Sequence, residues 1–231
     1  MFLYQPGSGY CYNSDSIFLF KFISKYKPVG RLLDVGCGVG ILSLLLGRDF
    51  DMSVCAVEKQ QIMCEYAKRN FELNKIDAKV VCKDFLEYEF DNRYDWIVSN
   101  PPFYAPTVLQ SEDSVKNIAR YSHHLPLELF IAKCRKVIKP KGYFALCYDA
   151  KQVDRVLATL RDRDFAPEFI RFIHPKSNRE AKIVLILARA GSKAVCKVLP
   201  PWIIFGDNGE YLKEAKEAFI DANTHSIKGD L

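Results

Sequence analysis

The sequence holds eight cysteines, at positions 11, 37, 55, 64, 82, 134, 147 and 196, yet it has no Cys-x-x-Cys pair. That absence removes the usual signature of a zinc site or a dithiol redox centre, so no metal is expected. Several of these cysteines sit inside apolar runs, where cysteine packs as a small hydrophobe, and the scatter suits a reducing cytosol. No stretch reaches the roughly 18 apolar residues that a membrane-spanning helix needs. The N-terminus also lacks a basic segment followed by an apolar one. Membrane spanning and secretion are not expected; a cytoplasmic location is. There is no internal repeat and no low-complexity segment.

What is present is an ordinary globular balance, 49% hydrophobic and 26% charged over 231 residues. That length suits one α/β domain, 1–231, made of a 1–30 N-terminal segment, a 31–190 core and a 191–231 C-terminal extension. The net charge of +5 is unevenly placed. Residues 171–197 hold Arg171, Lys176, Arg179, Lys182, Arg189, Lys193 and Lys197 against the single acid Glu180. A concentrated basic segment on a near-neutral body suggests a polyanion surface, although a solvated sheet edge has the same composition. The sequence carries no signal that sets an oligomeric state.

Strand and helix signals alternate along the core. Arg31–Val35, Met52–Val57, Lys79–Cys82, Tyr94–Ser99 and Tyr143–Tyr148 read as strands, with Phe169–Ile173 and Ile183–Ala188 as a final pair. Ile17–Phe22, a segment opening at Ile41–Leu46, Gln60–Leu73, Leu127–Ile138, Val153–Leu160 and Glu210–Ala222 have helical character. Such alternation predicts a doubly wound, Rossmann-like α/β fold with a mostly parallel sheet covered on both faces.

The first strand runs into Asp34-Val35-Gly36-Cys37-Gly38-Val39-Gly40. A glycine loop between a strand and a helix lets a ligand approach the backbone closely. By itself this Gly-x-Gly-x-Gly pattern is equally what a tight turn looks like. Its acidic partners sharpen it. Glu58 ends the second strand twenty residues after Gly38, where a carboxylate can accept both ribose hydroxyls. Asp84 follows the third strand at the adenine end of such a pocket, and Asp34 could take a ligand ammonium. Asp34, Gly36, Gly38, Gly40, Glu58 and Asp84 are therefore the candidate cofactor-binding residues. A dinucleotide would bring a pyrophosphate among these acids. S-adenosylmethionine carries no phosphate, so acids beside it are less costly, which favours it as the cofactor.

The fourth strand runs into Asn100-Pro101-Pro102-Phe103-Tyr104. The amine on an aromatic ring is a poor nucleophile because its lone pair is delocalised. Two acceptors can hold its N–H groups and favour a more tetrahedral nitrogen. Asn100 offers a side-chain carbonyl and Pro101 a main-chain one, while Pro101 and Pro102 stiffen the turn. Phe103 offers a flat face on which a flipped base can stack. Asn100, Pro101, Pro102 and Phe103 are the candidate catalytic residues. Methylation of cytosine at carbon 5 would need a cysteine nucleophile, typically in a Pro-Cys pair, and none occurs. His123 and His124 read first as exposed loop histidines, with a base or an RNA contact as the alternative.

Residues 31–104 resemble class I S-adenosylmethionine methyltransferases of the Asn-Pro-Pro-aromatic branch. Gly9-Tyr10 with Asp15-Ser16 is similar to the N-terminal segment of the bacterial tRNA1(Val) (adenine-37-N6) methyltransferases. His174-Pro175-Lys176 with Ala181–Arg189 resembles their last strand pair, and Asp207-Asn208-Gly209-Glu210-Tyr211 their C-terminal signature. The run Ile118–His124 departs from the Ala-Arg-His-Glu expected in that family. The resemblance implies a seven-stranded sheet with an antiparallel last strand, N6-methylation of an adenine in a tRNA anticodon loop, and the cofactor and amine contacts named above. Lys176, Arg179 and Lys182 would then contact RNA phosphates. Protein glutamine N5-methyltransferases share the motif but carry a helical domain before the first strand, where only thirty residues stand here. Ribosomal RNA guanine-N2 methyltransferases are the runner-up, and a non-catalytic cofactor-binding RNA scaffold is the alternative outside enzymes.

Overall fold

A computed structural model describes residues 1–7, 11–101 and 125–229. Its centre is a sheet of parallel strands β2 (Gly30–Val35), β3 (Met52–Glu58), β4 (Ala78–Cys82), β5 (Tyr94–Ser99) and β6 (Ile138–Asp149). Two strands, β7 (Phe165–His174) and β8 (Ile183–Ala190), complete it. The spatial order is β4-β3-β2-β5-β6-β8-β7, with β8 antiparallel to both of its neighbours. The mostly parallel sheet and its antiparallel strand β8 match the expectation. The count is exceeded, however: β9 (Lys197–Val198) and β10 (Trp202–Ile203) pair with β7 and bring the sheet to nine.

Alternating side chains split the core in two. Leu32, Val54, Ala56, Val98, Ala145 and Leu185 face helices α1 (Ser14–Ser24), α2 (Ile41–Asp49) and α3 (Gln61–Leu73). Leu33, Val35, Val57, Ile97, Leu146 and Ile186 face α4 (Leu127–Val137) and α5 (Val153–Asp162). Strands buried on both faces must be apolar at successive positions, which is why they read as short unbroken runs. On α4 the buried residues are Leu127, Phe130, Ile131, Cys134 and Val137, the three-and-four spacing of one helical face. The helix α1 is buried nearly all round because α2 and the C-terminal α6 (Lys213–Ala222) cover it as well. No described helix is long and apolar enough to cross a membrane.

The two ends of the chain fold together. β1 (Phe2–Gln5) pairs in parallel with β11 (His225–Lys228), a pairing across the chain's full length that no local pattern announces. The Asn70 side chain, fully buried on α3, then ties this unit to the core. It accepts from Tyr4 N at 2.7 Å and donates to Tyr4 O at 2.9 Å and Val39 O at 3.0 Å.

Two readings of the sequence need correction. Cys64 on α3 and Cys82 at the end of β4 form a disulfide with Cα atoms 5.8 Å apart; they are not both independent packing residues. Adjacent layers bring them together although eighteen positions separate them. The basic segment 171–197 is also not one surface. Arg171 is buried, bound through both terminal nitrogens to Glu214 at 2.6 Å and stacked over Trp202. Arg189 lies at the far end of β8, over the Tyr143 ring. Because β8 runs against β7, residues on the two sides of it leave at opposite rims.

Candidate active site

The chain goes from β2 outward to β3 and β4, then returns to lay β5 on the other side of β2. Open α/β sheets bind ligands at such a reversal, beyond the carboxyl ends of the strands. A pocket lies there, lined by the glycine loop, Asp34, Glu58, Asp84 and Asn100.

The loop needs its glycines. Gly36, Gly38 and Gly40 have φ of +70°, +55° and +88°, which side-chain-bearing residues rarely adopt. Gly36 and Cys37 donate to Val57 O at 2.8 and 3.1 Å, folding the loop back over β3. Gly36 and Gly38 line the pocket. Gly40 does not: a Cβ there would meet the Phe71 ring at 3.2 Å, and the residue caps α2 instead. Ser99 Oγ donates to Val35 O at 2.7 Å, locking the end of β5 to the start of the loop.

Three carboxylates stand at the pocket in different states. Glu58 accepts from Gly38 N at 3.0 Å through Oε2 and from Gln60 N at 2.9 Å through Oε1. Burial raises its pKa in spite of these donors. Asp34, 2% exposed, accepts from Ser43 N at 3.2 Å and so anchors the first turn of α2. Burial pushes its carboxyl up to about 7, and the nearby Glu58 adds to the rise. Asp84 is partly open to water. Burial raises it, but the Lys59 ammonium at 2.7 Å and the Leu86 N–H at 2.9 Å outweigh that and hold it below the usual range. Among the described residues no cation pairs with Asp34 or Glu58. Two buried carboxylates without a cation, facing one pocket, fit a positively charged ligand such as a sulfonium-containing amino acid.

Asn100 lines the same pocket, and its Nδ2 donates to Ser16 Oγ at 3.1 Å. Pro101 is buried beside it. Pro102, Phe103, Tyr104, His123 and His124 lie outside the described residues, as do Gly9 and Tyr10. The segment from His174 to Lys182 emerges on this rim, because β7 runs parallel to β5, and Ala150 N donates to Lys182 O at 3.1 Å. Arg179 and Lys182 are exposed there, and half-buried Lys176 donates to Asp207 O at 3.3 Å. Lys139, near the start of β6, lies at the opposite rim and pairs with Asp95.

Sequence reasoning missed Tyr12, Ser16 and Lys59 as pocket residues. Tyr12 is held by Gln5 Oε1 at its N–H, 3.0 Å, and by Thr224 at its hydroxyl, 2.9 Å. Both partners come from the paired chain ends, so only the folded molecule reveals its place.

Residues 13–152 match the family model described as the methyltransferase small domain. The tRNA1(Val) (adenine(37)-N6)-methyltransferase of Aliivibrio fischeri is 28% identical over 142 residues, 60% of either chain. The protein of that name from Bacteroides fragilis is 33% identical over 132 residues, 54% of this chain and 55% of its own. The matched region thus spans little more than half the length of these curated relatives. A crystal structure described as a predicted O-methyltransferase from Agrobacterium tumefaciens superposes with a TM-score of 0.71 at 18% identity, covering 92% of this chain and 99% of that one. The match runs from the cap of α1 through the glycine loop, Glu58 and Asn100, and the chain belongs to the methyltransferase small domain family.

Proposed function

We propose that this chain transfers a methyl group from S-adenosylmethionine to the N6 amine of an adenine in tRNA, in the anticodon loop. The observation that carries the reading is the sharing of one pocket by Glu58, the glycine loop and Asn100. A cofactor carboxylate and an amide acceptor at one reversal of the sheet bring donor and amine together. The names of the two relatives support tRNA as the methyl acceptor.

Glu58 would hold the ribose, Asp34 the cationic amino-acid end and Asp84 the adenine end of S-adenosylmethionine. Bound there, the cofactor supplies a methyl on a sulfonium, which is already an activated leaving group. The residues then need only to position and polarise. Asn100 Oδ1 and the Pro101 carbonyl accept the two N–H groups of the target amine and draw its nitrogen out of conjugation. Phe103 stacks the flipped base, and Lys176, Arg179 and Lys182 hold phosphates around it.

The test is transfer of a tritiated methyl to bulk tRNA, with mass spectrometry of the digested nucleosides. N6-methyladenosine is expected. N2-methylguanosine would assign the runner-up reaction, and no incorporation into any RNA would leave a scaffold. Asn100→Ala should lose about 100- to 1000-fold in turnover, the worth of one oriented acceptor in a transition state.

A further inference from the structure

We propose that Ser16 is a positioning residue that holds the Asn100 side chain with its NH2 turned to α1 and its carbonyl free for the substrate. The inference rests on the function proposed above. An asparagine amide has two ends of nearly equal size and opposite hydrogen-bonding roles. An amine substrate needs the carbonyl end. The amide turned by half a rotation would set its own NH2 against the amine, donor against donor. Nothing at Asn100 itself decides between these orientations.

In the structure Ser16 engages the NH2 end and so holds the orientation that leaves the carbonyl free. Its Oγ stands 3.1 Å from Asn100 Nδ2 and accepts from it. In this orientation the NH2 group is engaged by α1. Ser16 and Asn100 both line the pocket, and the carbonyl is left to take the substrate. Ser16 is only 7% exposed, so water does not readily replace it as the acceptor.

The helix that carries this hydroxyl is anchored at several points. Asn13 Oδ1 accepts from Asp15 N at 3.1 Å and fixes the first turn of α1. Just before it, Tyr12 is tied to Gln5 and Thr224. One turn further on, Phe18 packs against Trp202 and Phe219 at 5.1 and 5.7 Å between ring centres. A hydroxyl on a helix anchored at this many points can orient a partner, whereas one on a free loop could not.

The experiment measures turnover on bulk tRNA and calorimetric S-adenosylmethionine affinity. The proteins are wild type, Ser16→Ala, Ser16→Thr, Asn100→Ala and the Ser16→Ala/Asn100→Ala double variant. Ser16→Ala should lower kcat about 2- to 13-fold, the net worth of one hydrogen bond. KM and affinity for the methyl donor should hold within about twofold, while Ser16→Thr, which keeps a hydroxyl, should recover most of the loss. The double variant should be no slower than Asn100→Ala, because Ser16 acts only through that amide. Wild-type kcat in Ser16→Ala, or a double variant slowed by the product of the two single effects, overturns the proposal. If the wild type itself methylates no tRNA, the functional reading has failed. The orientation is then read by NMR: the Asn100 side-chain NH2 signals, assigned through Asn100→Ala, should shift and lose exchange protection in Ser16→Ala. Signals that do not move overturn it.

Discussion

Glu58 offers the sharpest test of the cofactor site, because its two oxygens already have work to do. Gly38 N and Gln60 N donate to opposite oxygens, at 3.0 and 2.9 Å. A cofactor diol must therefore use the remaining lone pairs of a carboxylate that is 7% exposed. Glu58→Ala removes the acceptors for both hydroxyls. At the lower end for hydrogen bonds to a charged group, two such bonds are worth about 3 kcal/mol, or about 150-fold in Kd. The variant also strands two backbone N–H groups, at about 1–3 kcal/mol each if water does not reach them. For a domain of this size each kcal/mol lowers Tm by about 2–4 °C. Glu58→Gln is the more discriminating change. Its NH2 must face either Gly38 N–H or Gln60 N–H, setting donor against donor, so this near-isosteric variant should still bind weakly. Calorimetric titration with S-adenosylmethionine, paired with thermal melts, reads both effects. Wild-type affinity in Glu58→Gln, with the fold intact, would refute the claim that the carboxylate links loop and ligand.

With its pKa raised by burial to about 7, Asp34 should make cofactor binding pH-dependent. With its ionised form holding the cationic end as proposed, affinity should rise with pH toward 7 and level above it, at up to about tenfold per unit on the acid side. Asp34→Asn should flatten that calorimetric profile. For the ligand-free protein the sign reverses: burial favours the protonated acid, so this contribution to stability is full below the ordinary carboxylate range and gone above about 7. Neutralising Lys176, Arg179 and Lys182 together should reduce the salt dependence of tRNA binding by up to about 0.7 of a log–log slope unit per contact. Arg171→Ala should leave that slope alone and cost roughly 3 kcal/mol in a denaturant melt, the low end for a broken buried pair because Glu214 is partly open to water. A thiol titration of unreduced, denatured protein should find six thiols, since six of the eight cysteines are free. Reducing Cys64–Cys82 should cost on the order of 3 kcal/mol for a loop of this length. Eight thiols would remove the bridge.

Much of the framework is determined by neighbours along the chain, and so the sequence shows it. The residues buried on α4 recur at three and four positions, and doubly buried strands appear as short apolar runs. The glycine loop and Glu58 sit where strands end. The start of β6 escaped because Lys139-Pro140-Lys141-Gly142 reads as a turn. In the sheet, β6 begins at Ile138, opposite Tyr94, and a register shift before the Trp96–Tyr143 pair absorbs that stretch.

The sequence by itself determined the alternating elements, the glycine loop, its acidic partner at Glu58 and the motif at Asn100, because each rests on local periodicity or on a strand end. Only the tertiary structure decided that Ser16 meets Asn100, that Tyr12 reaches the pocket, that Cys64 meets Cys82, and that the basic segment divides between two rims with Arg171 buried. Those contacts join residues far apart in the chain. They follow from which layers stack and which way β8 runs, and a linear pattern records neither.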